Sequence, residues 1–228
     1  MRLEQDILAP LSQSKKLFVY ETKDFWRQIK SAGSAVPANA LYLQQALQHP
    51  SATPYTPLTA PSADGPEIVP PVYIHPSATI HPTAKIGPNV SISENVRIGP
   101  GARVKNSIIL AGAEIAPHAV VLHSIVAWDS RIGAWARVEG IPLGVQEHGG
   151  KVIRQGVKVD AATILGRDVI VGEGVVVRNC VVLPNKSINS DVSNEVPPHR
   201  IRKLIVGYYV RLHIPKVRCL SFSIVSRV

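Results

Sequence analysis

The segment TIHPTAKIGPNVSISENVRIGPGA, Thr79 to Ala102, places an isoleucine at every sixth residue: Ile80, Ile86, Ile92 and Ile98. Four residues after each comes a small or β-branched side chain, at Ala84, Val90, Val96 and Ala102. An amphipathic helix repeats at three and four residues and a half-buried strand at two, so neither accounts for a period of six. Taken in both directions, the ladder runs from Ile74 to Val104. After the five-residue step RVKNS it resumes at Ile109, Ile115 and Val121. A second short step, VVLHS, leads to Val126, Ile132 and Val138. Beyond an interruption it returns at Leu165, Val171 and Val177, and a third short step, VVRNC, leads to Val182 and Ile188. Small or branched partners recur at Ala78, Ala113, Ala119, Ser130, Ala136, Val169, Val175 and Val192, with Lys186 as the exception.

A prism satisfies this pattern. Each hexapeptide supplies one short strand and one corner, three make a triangular coil of about 18 residues, and coils stack at about 4.8 Å. The aliphatic residue points to the narrow axis, and the small partner sits near a corner where bulk would clash. Gly87, Gly99, Gly133 and Gly172 follow their aliphatics and are expected to ease the turn. Pro76, Pro82, Pro88, Pro100 and Pro117 stand two residues after theirs, where a fixed φ suits a corner and a missing ladder donor is harmless. The short steps predict tight corners at Ser107, Ser124 and Cys180. The fold class expected is therefore mainly β, a parallel β-helix of hexapeptide repeats. The scarcity of aromatic residues, 5%, beside abundant Val, Ile and Ala agrees with such a narrow core.

Outside the ladder the chain changes character. KKLFVYETKDFWRQI is strand-like through Tyr20, SAVPANALYLQQALQ predicts a helix with Pro37 in its first turn, and a Pro/Ser/Thr-rich linker follows. The domain boundaries expected are residues 1–48 for a small α/β unit, 49–71 for the linker and 72–196 for the prism. Residues 141–162 should protrude from it as a loop, either a tolerated surface insertion or an arm that touches a partner or ligand. The HGGK within that loop lacks the strand-to-helix context of a phosphate loop.

The formal charge of +9 invites a nucleic-acid reading, but its distribution opposes one. Residues 197–228 carry seven Lys or Arg and no acid, while basic residues elsewhere are dispersed without a basic helix or stacking motif. That tail is expected to be disordered, an artefact of the gene model or splicing, or else a peptide on the last coil. Two cysteines, Cys180 and Cys219, make no disulfide framework. The start MRLEQDILAP has no signal architecture, and no apolar run reaches the roughly 20 residues of a bilayer span. The expectation is a cytoplasmic protein with neither membrane nor nucleic-acid partners.

Several segments together carry a resemblance. FVYETKDFWRQIKSAGSAVPANALYL, VYIHPSATIHPTAKIGPNVSI, LHSIVAWDSRIGAWARVEG and VVLPNKSINSDVSNEV resemble the C-terminal half of sugar-phosphate nucleotidyltransferases with hexapeptide repeats. Within these they are most similar to the mannose-1-phosphate guanylyltransferase (GDP-mannose pyrophosphorylase) family, in its alpha-subunit branch. The resemblance covers residues 2–196, apart from parts of the linker and loop, and implies a left-handed β-helix preceded by a short remnant of a nucleotidyltransferase domain. Such enzymes join GTP and mannose 1-phosphate to give GDP-mannose and pyrophosphate. A glycine-rich loop and Mg²⁺ offset the repulsion of two anionic reactants. That glycine-rich signature is absent from this sequence, so the chain alone is expected to be inactive, with no cofactor or metal site of its own.

Catalytic relatives resemble Trp-x-Asp-Ile-Gly where this chain has WRQIK, which places Gln28 at the metal-binding carboxylate and Lys30 at the glycine. An amide is a poorer Mg²⁺ ligand than a carboxylate. Gln28 is either a solvated amide or part of a ligand site in which Lys30 offsets phosphate charge. The resemblance implies a regulatory or assembly role beside a catalytic beta subunit, as a homo- or hetero-oligomer sensing a sugar nucleotide. Trp128, Trp135, Arg137, Glu139, Lys151 and Arg154 are the candidate partner contacts. Two other classes of enzyme are built on such a prism. A hexapeptide acyltransferase would use His118 or His123 as general base. A gamma-class carbonic anhydrase would bind zinc through histidines such as His81, His118 and His123. These three occupy different places in their hexads, and no partner acid is evident.

Overall fold

The computed structural model describes residues 3–13, 26–27, 29, 31–49, 58–62, 64–142, 151–154, 157–160 and 162–194, with backbone alone for 3–4, 151–154 and 157–160. The prism is there: three sheets of parallel strands, of seven, six and six members, wind around one axis. The first wall comprises Glu67–Ile68, Lys85–Ile86, Arg103–Lys105, Val120–Leu122, Arg137–Glu139, Val176–Arg178 and Val192–Ser193. The second comprises Val72–Ile74, Val90–Ile92, Ile108–Ile109, Ser124–Val126, Thr163–Leu165 and Val181–Val182. The third comprises Thr79–Ile80, Arg97–Ile98, Glu114–Ile115, Arg131–Ile132, Ile170–Val171 and Ser187–Ile188. Register follows the ladder: Ile74 pairs with Ile92, Ile80 with Ile98 and Ile86 with Val104. The axis column is buried, with Ile86, Ile92, Ile109, Ile115 and Ile132 all at 1% exposure or less. Each such side chain stabilises the fold by about 1.5–3 kcal/mol relative to an exposed one.

The first wall opens at Glu67–Ile68, one strand ahead of the Val72 start expected from the ladder. Ile68 stands six before Ile74, and Val72 is its buried small partner. At the far end Val192 pairs with Val177, so it occupies the axis register and not the corner position assigned from spacing.

The corners depend on a residue that the ladder alone did not single out. The third residue after most axis aliphatics adopts positive φ, at Asn89, Asn95, Gly101, Gly112, His118, Asp129, Trp135, Asp168, Gly174 and Asn185. At the short steps the second residue does so, at Asn106, His123 and Asn179. Asn, Asp and Gly dominate because they tolerate the left-handed region. The glycines directly after the aliphatics have a different role from the one expected, except Gly87, whose φ is 109°. A Cβ on Gly133 would lie 2.7 Å from the backbone nitrogen of Glu173, so its smallness admits the next coil.

The three tight corners are buried at Ser107, Ser124 and Cys180. Ser107 Oγ donates to Lys105 O at 2.7 Å, Ser124 Oγ to Leu122 O at 2.6 Å, and Cys180 Sγ to Arg178 O at 3.0 Å. Ser107 Oγ also accepts the Ser124 N–H at 3.2 Å, linking one coil to the next. A hydroxyl or thiol thus satisfies backbone groups that the shortened corner leaves out of the ladder.

Outside the prism, a 3₁₀ turn at Ala32–Ser34 leads into the helix Ala35–Gln48. Pro37 lies in its first turn, where backbone N–H groups have no helical acceptor. Ala32, Ala35 and Val36 pack on the outer face of the second wall, against a cluster with Ile108, Ile125, Ile164 and Val181. Asn39 fixes the register by accepting from Ser91 Oγ at 2.6 Å and donating to Asn89 O at 3.4 Å. Near the N-terminus, Leu3–Leu8 is π-helical and Ala9–Gln13 α-helical. The strand expected through Tyr20 and the tail 197–228 lie outside the described residues. No helix among the described residues is long and apolar enough to cross a membrane.

Candidate functional site

The corner between the first and second walls carries the departure from the repeat. In successive coils its left-handed seat holds Asn89, Asn106 and His123, then Asn179 and Asn194. Asn89 Nδ2 donates to Asn106 Oδ1 at 3.0 Å, and Asn179 Nδ2 to Asn194 Oδ1 at 3.2 Å. Between these two asparagine pairs lie His123 and the insertion. Glu139 pairs with both Leu122 and Arg178, while Thr163 pairs with Ser124. Residues 140–162 therefore stand where the coil before has His123 alone and the coil after has Asn179 alone. Thr163 Oγ1 donates to Glu139 O across the base of the insertion, as the serines do at the short corners. Within the insertion, Lys151–Arg154 and Val157–Asp160 pair as an antiparallel hairpin. Lys151 and Arg154 thus lie on one strand of that arm.

The root of the arm is polar and half-buried. Glu139 is flanked by Arg137 and by Arg178, whose Nε donates to Oε2 at 2.9 Å. Burial opposes ionisation of Glu139, but the hydrogen bonds and charges of Arg137 and Arg178 outweigh it and hold the carboxyl below its ordinary range. Burial and the nearby Lys105 push the His123 imidazole below its ordinary value, against an opposing pull from Glu139. His123 is accordingly neutral at physiological pH.

A cleft of about 150 Å³ opens at this corner between the Ala35–Gln48 helix and the arm's two ends. Val36, Pro37, Leu41, Ile141 and Ala162 give it apolar sides, and Arg27, Gln44, Asn89, Asn106 and His123 a polar rim. Asn89 Oδ1 is buried with no hydrogen-bond partner among the described residues. The sequence reading missed Asn89, Asn106 and Arg27. The recurrent Asn before a small residue was the available signal for the first two.

The two tryptophans do not share a surface. Trp128 lies at the corner between the second and third walls, half-buried against the outer cluster with Leu183. Trp135 lies at the corner between the third and first walls, 68% exposed, its ring stacked on His118 at 4.3 Å and 19°. Gln28 and Lys30 lie outside the described residues.

The histidines weighed for catalysis are likewise separated. His118 is at the third-to-first corner and His123 at the first-to-second, so their four intervening residues do not bring the rings together. His81 Nδ1 is bonded to Thr83 Oγ1 at 3.0 Å. Among the described residues no three His, Cys, Asp or Glu side chains converge to hold a metal. Those residues offer no carboxylate cluster that fits the Mg²⁺ implied by the resemblance for the complete enzymes.

A three-walled parallel prism with a side arm defines a β-solenoid of the hexapeptide-repeat type. The family model described as GMPPB C-terminal domain matches residues 68–196, and the chain belongs to that family. It is 50% identical over 198 residues to a probable mannose-1-phosphate guanyltransferase of Schizosaccharomyces pombe, covering 86% of this chain and 46% of that protein. To the mannose-1-phosphate guanylyltransferase regulatory subunit alpha-B of Danio rerio it is 49% identical over 204 residues, covering 86% of this chain and 47% of that protein. The regulatory subunit alpha of Sus scrofa is 44% identical with the same coverages. The chain spans about half the length of the curated relatives it matches. Neither the acyltransferase nor the carbonic anhydrase reading is favoured by these similarities.

Proposed function

We propose that this chain is a regulatory or assembly part of a mannose-1-phosphate guanylyltransferase and serves GDP-mannose synthesis in the cytoplasm. It forms no GDP-mannose by itself and acts through a catalytic guanylyltransferase subunit. The observation that carries the reading is identity of 44–50% across 86% of the chain to proteins named as that enzyme or its regulatory subunit. The fold supports a mechanical role. A stack of short strands on an aliphatic axis gives a rigid rod whose outward residues are free to vary. The arm leaves it at a corner where one residue suffices and returns to the same register.

In this account the prism sets the direction of the arm, and the arm with Lys151 and Arg154 meets the catalytic subunit. At the root, the Arg137–Glu139–Arg178 cluster fixes the strand from which the arm departs. The Mg²⁺ and glycine-rich loop of the reaction belong to the catalytic subunit.

The test is GDP-mannose formation from GTP and mannose 1-phosphate by a purified catalytic subunit, with and without an excess of this chain. The expected result is a saturable change in rate at fixed catalytic subunit, and no product from this chain alone. Turnover by the isolated chain, or a rate unaffected by it, contradicts the proposal.

A further inference from the structure

The corner between the third and first walls holds an incomplete stack of rings. His118 leans back over the preceding coil: a Cβ on Gly101 would lie 2.4 Å from its Nδ1, so the imidazole fills the space a side chain there would take. One coil on, Trp135 leans back over His118. In the next coil the equivalent seat is Gly174, with φ +68° and nothing within 4 Å of where its Cβ would be. The series gives each ring a support beneath it and leaves the outer face of the last one without a cover from its own corner.

Trp135 is also the largest side chain among the described positive-φ residues, at φ 61°. A large aromatic in the left-handed region is a backbone outlier, and such strain gathers at functional positions. The corner has a charge as well. Glu173 immediately precedes Gly174, and Asp191 follows in the next coil; both are exposed. No Lys or Arg lies between Gly172 and Val176 or between Asn189 and Ser193. Arg137, two residues beyond Trp135, is engaged with Glu139.

We propose that the open face of Trp135 is a seat for the guanidinium group of an arginine presented by another protein chain. A planar cation suits an indole face electrostatically, and arginine adds planar stacking to the cation–π attraction that lysine also has. Glu173 and Asp191 add attraction for that cation and oppose an anionic ligand such as a nucleotide phosphate. The inference deepens the assembly reading by naming the partner's chemistry at one point, and it rests on that reading only for the partner being a protein.

The experiment needs no catalytic subunit, so its failure is distinct from failure of the assembly reading. The indole N–H resonance of Trp135 is assigned by its loss in Trp135→Phe and followed on titration with acetyl-Gly-Arg-Gly-amide. The lysine counterpart and guanosine are titrated in parallel. The arginine peptide should shift the resonance saturably, with the lysine peptide about two- to fivefold weaker. Gly174→His should fill the seat from within and reduce arginine affinity about fivefold or more, since His118 holds the same corner backbone at φ 58°. Glu173→Lys, an exposed change that leaves the corner backbone alone, should also weaken it about twofold or more. Absence of a saturable shift overturns the proposal. So does an unchanged affinity in Glu173→Lys or in a folded Gly174→His protein, or tighter binding of guanosine than of the arginine peptide.

Discussion

The axis of the prism and the layer outside its second wall are both apolar and both buried, yet they are built on different principles. Along the axis successive coils stack in register, so the same kind of side chain recurs, mostly at every sixth residue, from Ile68 to Val192. Outside the second wall, Ile108, Ile125, Ile164 and Val181 are covered by a segment that is not part of the repeat. The cover runs from Ala32 to Val36 and is tied down by Asn39. One region is held by neighbours above and below on all three walls, the other by a single helix. The axis should therefore fail cooperatively, and the outer layer should open locally.

The largest expected effect tests the axis. Ile115→Ala removes a side chain at 1% exposure from the centre of the third wall and should cost about 2–5 kcal/mol in denaturant unfolding. A loss under about 1 kcal/mol would mean that the axis is less tightly packed than its burial indicates. Next comes a tight corner. Ser107→Ala removes the acceptor of the buried Ser124 N–H and should cost about 1–3 kcal/mol. Cys180→Ser keeps a donor toward Arg178 O and should change stability less than Ser107→Ala does.

Val36→Asp sharpens the contrast from the other side. It places a carboxylate between the helix and the second wall, so amides of Ala35–Gln48 should exchange faster while those of Ile115 and Ile132 keep their protection. Equal loss of protection in both would show that the outer layer is part of the same cooperative unit.

The smallest expected effect lies at the arm's root. Burial and Lys105 hold the His123 imidazole below the ordinary value of 6.5. The unfolded chain then takes up a proton near 6.5 that the folded chain refuses until lower pH. Stability from this source is complete above 6.5 and declines as pH falls below it toward the folded value. His123→Asn should flatten that part of the stability–pH curve. Asn suits the seat, since Asn106 and Asn179 hold it at φ 47° and 50°. An unaltered slope would assign the decline to other groups.

The same contrast explains what the sequence made legible. The axis, its small partners, the short corners at Ser107, Ser124 and Cys180, and the helix after Pro37 all follow from spacing or from helix-start chemistry. Val192 was misplaced because the last corner is two residues shorter, and a period says nothing about a step that departs from it. The Ile68 strand was hidden behind Val69, Pro70 and Pro71, which resemble a linker. The packing of Val36 against Ile125 and Ile164 was not legible, because outward residues on the second wall obey no period and their cover comes from a distant segment. Trp128 and Trp135, both candidate partner contacts, are seven residues apart. In a coil of about 18 residues that separation moves to the next corner.

The central claim is that the prism carries an arm that engages a catalytic guanylyltransferase subunit. Register supplies a clean way to remove it: replace residues 140–162 by a single Asn, restoring the corner that Asn179 makes one coil later. The decisive measurement is the affinity of the intact and armless proteins for the purified catalytic subunit, with thermal unfolding of both in parallel. The account predicts an unchanged prism and binding weakened about tenfold or more, equivalent to about 1.4 kcal/mol. Equal affinity in a folded armless protein contradicts it.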